Sequence, residues 1–199
     1  MDDRFQRAIA LIDAANAEDP RIDTVDDVAV PRELLYSRRM SAMLERFAPE
    51  ASEVLRLAVR AQHIQRWKIP RDSQPKTPEG YQRWRRELMR FHATTAGEKL
   101  REAGYGEEVV ERLGNLLQKR ALKTDADTQT LEDVIALVFL DNYLAGFAAD
   151  HGEYDEQKFV DILVKTLRKM SERGRAAVFE LTRPPEPLMP IIRKAVQSV

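Results

Sequence analysis

The sequence predicts an all-α protein, an irregular bundle of about eight helices joined by short connections. Three observations support this. Apolar residues recur at helical spacing along most of the chain. Proline, capping residues and glycine mark helix starts and stops. No alternating strand pattern persists beyond a few residues, and no internal repeat is present.

Taken in order, Asp2 to Ala17 carries Phe5, Ala8, Ile9, Leu11, Ile12 and Ala15 on a helical stripe, and residues 18–31 read as a connecting loop, broken by two prolines and many acids. A helix is expected from about Pro31 to Arg46, with proline in the first turn, where its missing N–H has no partner to lose. After Ala48-Pro49-Glu50 a third runs to about Trp67, its stripe being Val54, Leu57, Ala58, Ala61 and Ile64. Residues 68–77 form a loop. Thr77-Pro78-Glu79 then reads as N-cap, first-turn proline and first-turn acid, opening a helix that reaches about Glu102 and stops at Gly104.

Another helix spans Glu107 to about Arg120, followed by a polar segment, 121–129. Thr130-Leu131-Glu132-Asp133 matches a capping box and predicts a helix from Leu131 to about Asp150, apolar on nearly all sides and therefore the buried central element. A helix from about Asp155 to Glu172, a shorter one from about Arg175, and a last one beyond Arg183-Pro184-Pro185-Glu186-Pro187 complete the reading. With 199 residues, slightly long for one compact domain, the chain is read as a single all-helical domain, 1–199.

Composition narrows the chemistry. Apolar residues make up 43% and charged residues 33%, a folded and not a disordered profile. With no cysteine there is no disulfide, thiolate nucleophile, Fe–S cluster or cysteine-ligated zinc, so any metal must sit on His, Asp or Glu. The start Met1-Asp2-Asp3-Arg4-Phe5 lacks the basic and apolar regions of a signal peptide, and the longest apolar run, Val134–Leu140, is too short to span a bilayer; a cytoplasmic location without a membrane partner is expected. Net charge is −1 but uneven. Residues 60–90 hold nine Lys/Arg against three acids, and residues 125–161 one Lys against ten acids. The basic stretch is either an anion-binding surface or a solvated face.

Of the three histidines, His63 has Arg66 and Trp67 three and four residues on, where helical geometry lets them meet, and it falls roughly opposite the apolar stripe. His92 shares a face with Arg85, Leu88, Thr95 and Lys99, whereas His151, beside Gly152 in an acidic loop, reads as surface. Arg66, Arg71, Arg85 and Lys119 suit charge-assisted contacts to phosphate. Trp67, Tyr81 and Trp84 are read first as packing and second as a base-stacking platform. His63 and Asp133 admit two readings: a metal or phosphate site, or a helix-end histidine and a capping-box acid. There is no P-loop, Gly-rich dinucleotide turn, nucleophile elbow or zinc-protease helix motif.

The segment Leu57-Ala58-Val59-Arg60-Ala61-Gln62-His63-Ile64, with Glu132-Asp133-Val134-Ile135 and His92, resembles the HD-domain superfamily of metal-dependent phosphohydrolases. There an apolar helix ends in a His-Asp pair and a distant Asp opens a later core helix. The resemblance implies an HD-domain-like bundle and a divalent ion (Mn, Mg, Ni or Zn) on His63, His92 and Asp133. The pattern departs where Ile64 replaces the paired Asp and where Tyr36-Ser37 stands in place of the first His.

A second resemblance covers nearly the whole chain. Arg4-Phe5-Gln6-Arg7-Ala8-Ile9, Pro31-Arg32-Glu33-Leu34-Leu35-Tyr36-Ser37, Ala61-Gln62-His63-Ile64-Gln65-Arg66-Trp67, Gly80-Tyr81-Gln82-Arg83-Trp84-Arg85 and Thr128-Gln129-Thr130-Leu131-Glu132-Asp133-Val134 resemble the domain of unknown function 4202 family, which is uncharacterised. Some members carry the label glutamyl-tRNA synthetase, and Lys169-Met170-Ser171-Glu172-Arg173 is similar to a signature of those enzymes. Glu172 replaces its second lysine, however, and the chain predicts no nucleotide-binding parallel sheet.

The expected function is that of a divalent-metal-dependent phosphohydrolase-like enzyme acting on a small phosphorylated or nucleotide ligand, with Arg66, Arg71, Arg85 and Lys119 on the phosphate. The alternative is a non-catalytic binding module for a nucleotide, RNA or a protein partner.

Overall fold

The computed structural model describes residues 3–199. Its elements are α1 (Asp3–Ala17), β1 (Ile22–Val25), β2 (Val28–Pro31), α2 (Arg32–Phe47), α3 (Glu53–Ala61), α4 (Pro78–Ala103), α5 (Glu107–Leu117), α6 (Ala126–Val138), α7 (Leu144–Asp150), α8 (Glu156–Leu167), α9 (Glu172–Leu181) and α10 (Met189–Val196). The protein is an all-α helical bundle with one two-stranded sheet. Asp2, where the first helix was expected to start, lies outside the described residues. Among the described residues no helix is long and apolar enough to cross a membrane.

Packing divides the chain into two compact units, residues up to Ala42 with Glu50–Ala121, and Met43–Pro49 with Leu122–Val199. In the first unit α1 packs on α3 and α4, and α5 on α3 and α4. Phe5, Ala8 and Ile12 from α1, Leu55 and Ala58 from α3, Leu88 and Leu100 from α4, and Leu113 and Leu116 from α5 are buried there. Burying such side chains supplies about 1.5–3 kcal/mol each for the larger ones. In the second unit α6 packs on α9 and α8 on α10, with Leu131, Leu137, Leu163, Val178 and Ile192 buried.

The element with the clearest sequence signature forms as expected. Thr77 accepts the Gly80 N–H at 3.1 Å as N-cap of α4, Pro78 takes the first turn, and Gly104 ends the helix at φ 96°, a left-handed conformation that favours glycine. Four local expectations are corrected. First, residues 18–31 are not all loop: β1 and β2 pair antiparallel, Ile22 opposite Pro31 and Val25 opposite Val28, around Asp26 and Asp27, both at positive φ. Two consecutive left-handed residues make the tight hairpin turn whose twist suits paired strands, and Asp is among the residues that adopt it.

Second, α3 stops at Ala61, so His63 lies in the following turn and not at the end of a helix reaching Trp67; Gln65 adopts φ 49°, and Arg66–Lys68 form a separate 3-10 turn. Third, α6 begins five residues before the expected start. Asp125 accepts the Thr128 N–H and hydroxyl, both at 2.8 Å, so Thr130 and Asp133 sit inside the helix and form no capping box. Past Val138 the chain makes a π-helical turn, Phe139–Tyr143, before α7. Fourth, α9 starts at Glu172, capped by Ser171, whose hydroxyl accepts the Gly174 N–H at 2.9 Å.

Two glycines contrast sharply. A Cβ at Gly80 would overlap the Pro75 carbonyl oxygen of the loop that leads into α4, whereas one at Gly146, an exposed position of α7, would meet open space. Gly80→Ala is expected to lower unfolding free energy by about 1–3 kcal/mol through overpacking. Gly146→Ala is expected to raise it by up to about 1 kcal/mol through helix propensity. Urea melts of the two variants check both signs.

Candidate functional site

A polar corner forms in the first unit where α1, the hairpin, α2 and the turn after α3 bring charged residues inside. Asp19, at 3% exposure, accepts two side-chain bonds from Arg21 at 2.9 Å each and the Glu33 N–H at 3.1 Å. Arg21 also donates to the Glu33 carboxylate at 2.8 Å. Glu33 stands in the first turn of α2, buried, so the same guanidinium holds two carboxylates. Burial pushes the Glu33 carboxyl above its usual range, against the opposing fields of Arg66 and Arg21.

His63 sits in this corner. Tyr36 of α2 stacks on its ring with centroids 4.1 Å apart, and Glu33 Oε2 lies 3.5 Å from its Nδ1. Arg66 approaches Nε2 at 2.9 Å. A guanidinium only donates, so Nε2 is the acceptor and the ring proton resides on Nδ1, facing Glu33. Burial, then the charges of Arg66, Lys119 and Arg21, hold His63 well below the usual histidine value, so it is neutral.

His92, 4% exposed on the inner face of α4, has its ring 5.9 Å from that of His63. Its Nδ1 is 2.9 Å from the Ile64 carbonyl oxygen, to which it must donate, leaving Nε2 as an acceptor. Burial, followed by the neighbouring His63, brings its pKa down to about 3. Two neutral imidazoles therefore share the corner.

The basic residues gather beside it. Arg66 lies 5.1 Å and Arg71 5.6 Å from the Trp84 ring; Arg71 and Arg85 lie 5.6 Å and 5.9 Å from that of Tyr81. Trp84 is buried, its indole N–H donating to Ile69 O at 3.1 Å, so it packs and anchors the loop, while Tyr81 remains 41% exposed. Arg71 donates to the carbonyls of Gln74 and Pro75. Among the described residues no carboxylate pairs with Arg66, Arg71 or Arg85. Lys119, at φ 56° just past α5, contributes its field to His63.

Asp133 belongs to the second unit. Its carboxylate accepts the Ser171 N–H at 2.7 Å and hydroxyl at 2.5 Å, and the Gln129 amide at 3.2 Å, tying α6 to the start of α9. Burial raises its pKa, and the Ser171 bonds oppose the rise. Gly174 leaves the room this carboxylate occupies, since a Cβ there would lie 2.5 Å from the Asp133 carboxyl carbon. Among the described residues no group of three or more His, Asp or Glu side chains converges to hold a metal ion. His151 stacks on Tyr154 in the second unit, centroids 4.6 Å apart.

Sequence reading singled out His63, His92, Arg66 and Lys119, which the fold collects, and Arg71 and Arg85, which adjoin them through Trp84 and Tyr81. It gave no role to Asp19, Arg21 or Glu33. The acid in the first turn of α2 was the available signal, and only tertiary packing shows it facing His63.

A titration consequence follows for His92. Its folded pKa, about 3, lies below the unfolded value of 6.5, so the neutral folded form contributes stability in full above pH 6.5 and loses it as pH falls from there toward 3. His92→Asn keeps a donor for Ile64 O and cannot take up the proton. Below pH 6.5 the native chain is expected to lose stability faster than this variant, approaching about 1.4 kcal/mol per pH unit, as read from denaturant melts at stepped pH.

No curated protein and no solved structure matches the chain. A family model does match, over residues 6–192, which is almost its whole length. The chain belongs to the family described as Domain of unknown function (DUF4202).

Proposed function

We propose that the first unit binds a small phosphorylated ligand of the nucleotide class, with the Arg66 guanidinium as the principal phosphate contact. The observation that carries this is a half-buried guanidinium whose hydrogen-bond partner is a neutral imidazole and not a carboxylate. Such a group is costly to desolvate and gains most from a charge-assisted bond to an anion. Lys119 adds its positive field at His63, Arg71 lies by the Trp84 ring that Arg66 also approaches, and Glu33 is already held by Arg21.

Hydrolysis of that ligand is the catalytic form of the same proposal. Its support is the resemblance to HD-domain phosphohydrolases and the neutral state of His63 and His92, which is the state an imidazole needs to hold a metal or accept a proton. Tyr36, at the place where that pattern carries its first histidine, stacks on His63. The residues collected here fall short of the three protein ligands of a catalytic metal site, so the phosphate is assigned to the guanidinium and no step to a metal.

Calorimetric titration of the full chain with ATP, ADP and AMP, against adenosine as control, is the test. Phosphorylated ligands are expected to bind and adenosine not to. Arg66→Gln is expected to weaken binding by about tenfold or more, since a hydrogen bond to a charged group is worth about 1.5–3 kcal/mol. Repeating the titration with Mn, Mg, Ni or Zn ions while measuring phosphate release separates turnover from binding. Failure of every phosphorylated ligand to bind better than adenosine, or native affinity in the Arg66 variant, sinks the proposal.

A further inference from the structure

The arginines between Arg66 and Arg90 fall into two sets. Arg83, Arg86 and Arg90 are exposed. Arg66, Arg71 and Arg85 are half-buried, and among the described residues none of these three has a carboxylate within ion-pair distance. Arg21 and Arg60, also half-buried, are paired, the former with Asp19 and Glu33 and the latter with Asp13. A guanidinium taken partly out of water with no acid beside it is costly to hold unless an anion completes it.

Placement puts the half-buried set in a row. Tyr81, Trp84, Arg85, Leu88 and His92 recur at helical spacings of three and four and share the side of α4 that turns toward His63, whereas Arg83, Arg86 and Arg90 fall on the other side. Arg66 and Arg71 share the Trp84 ring, and Arg71 and Arg85 the Tyr81 ring, at 5.1 to 5.9 Å from the centroids. Contact with a ring engages the face of a guanidinium and leaves the N–H groups in its plane to donate. Arg85 makes no hydrogen bond among the described residues. Arg71 donates through its terminal nitrogens to the Gln74 and Pro75 carbonyls and keeps its Nε–H unengaged.

From this we infer that the ligand of the first unit is an oligophosphate, a di- or triphosphate whose first phosphate meets Arg66 and whose further phosphates meet Arg71 and Arg85. The inference rests on the assignment of a phosphate to Arg66 and names the feature of the ligand that the rest of the row reads. Guanidiniums gathered in a row without acids repel one another, and a run of adjoining anions is the chemistry that relieves them all. A monophosphate completes Arg66 and leaves Arg71 and Arg85 as they are. Each added phosphate brings its own charge to the next guanidinium, whose planar fork suits phosphate oxygens. The number of phosphates therefore sets the affinity.

The experiment is calorimetric titration of the full chain with AMP, ADP and ATP in magnesium-free buffer, with tripolyphosphate, orthophosphate and citrate as displacers of ATP. ADP is expected to bind about tenfold more tightly than AMP, the gain of a hydrogen bond to a charged group, and ATP at least as tightly as ADP. Tripolyphosphate is expected to displace ATP at lower concentration than orthophosphate or the tricarboxylate citrate. Arg71→Gln/Arg85→Gln is expected to bring ADP and ATP to the AMP value and to leave AMP unchanged. Because Arg71 also fastens its own loop, Arg85→Gln alone is the second variant. It is expected to weaken ATP binding about tenfold at an unaltered melting temperature. Arg83→Gln/Arg86→Gln/Arg90→Gln is expected to keep the native series, which separates the row from a general positive field. Equal binding of the nucleotides, a native series in the Arg85 variant, a loss in the outer variant as large as in the double variant, or equal displacement by orthophosphate or citrate overturns the inference. AMP binding that Arg66→Gln removes, with no gain from AMP to ATP, leaves the Arg66 assignment standing and this inference fallen. Absence of binding by every phosphorylated ligand removes both.

Discussion

One hydrogen bond from backbone to side chain fixes the geometry on which the candidate site depends. The Gln65 N–H donates to the Asn16 side-chain oxygen at 2.9 Å, with Asn16 fully buried at the end of α1. Gln65 has φ 49°, a conformation that non-glycine residues adopt at a cost of order 1–3 kcal/mol and keep only where surroundings over-determine it. The Asn16 contact, and a side-chain bond from Gln65 to Glu18 at 3.2 Å, supply that determination. The reversal ends the helical path after α3, lets Arg66 fold back onto His63, and leaves the Ile64 carbonyl facing His92.

The electrostatics follow from that turn. A half-buried corner receives Arg21, Arg66 and the field of Lys119, with the carboxylates of Asp19 and Glu33 gathered on Arg21. Positive charge that Glu33 does not pair directly falls on the histidines, and burial acts in the same direction. Both imidazoles are consequently neutral, while the guanidinium beside them keeps its donors directed at a group that carries no charge.

How much of this was legible in the sequence differs by element. The bounds of α4 could be read from Thr77, Pro78 and Gly104 because each acts through its own backbone position. The hairpin could not. Its turn is Asp26-Asp27 without glycine, and its strands are half exposed with no sustained alternation. The start of α6 was misread because Thr130 to Asp133 has the composition of a capping box; Asp125 supplies the cap, and Asp133 bonds across to Ser171, a partner 38 residues away. At the site, the histidines and arginines announce themselves by chemistry and local spacing. Arg21 and Glu33 do not, since contacts to them depend on the hairpin that was read as loop.

The π-helical turn in the second unit carries a consequence for how its central hydrophobic segment is used. At Phe139–Tyr143 the Leu144 N–H reaches back five residues to the Phe139 carbonyl, which inserts one residue into the helical repeat. One extra residue advances everything downstream by about 100° around the axis. Before the insertion the segment buries side chains all round, among them Leu131, Val134, Leu137 and Val138; after it Leu144 is the buried residue of α7, and Ala145 and Gly146 face solvent. Removing a single residue within the bulge, with no change of hydrophobic content, would turn α7 by that angle and swing Leu144 out of the direction in which it is buried.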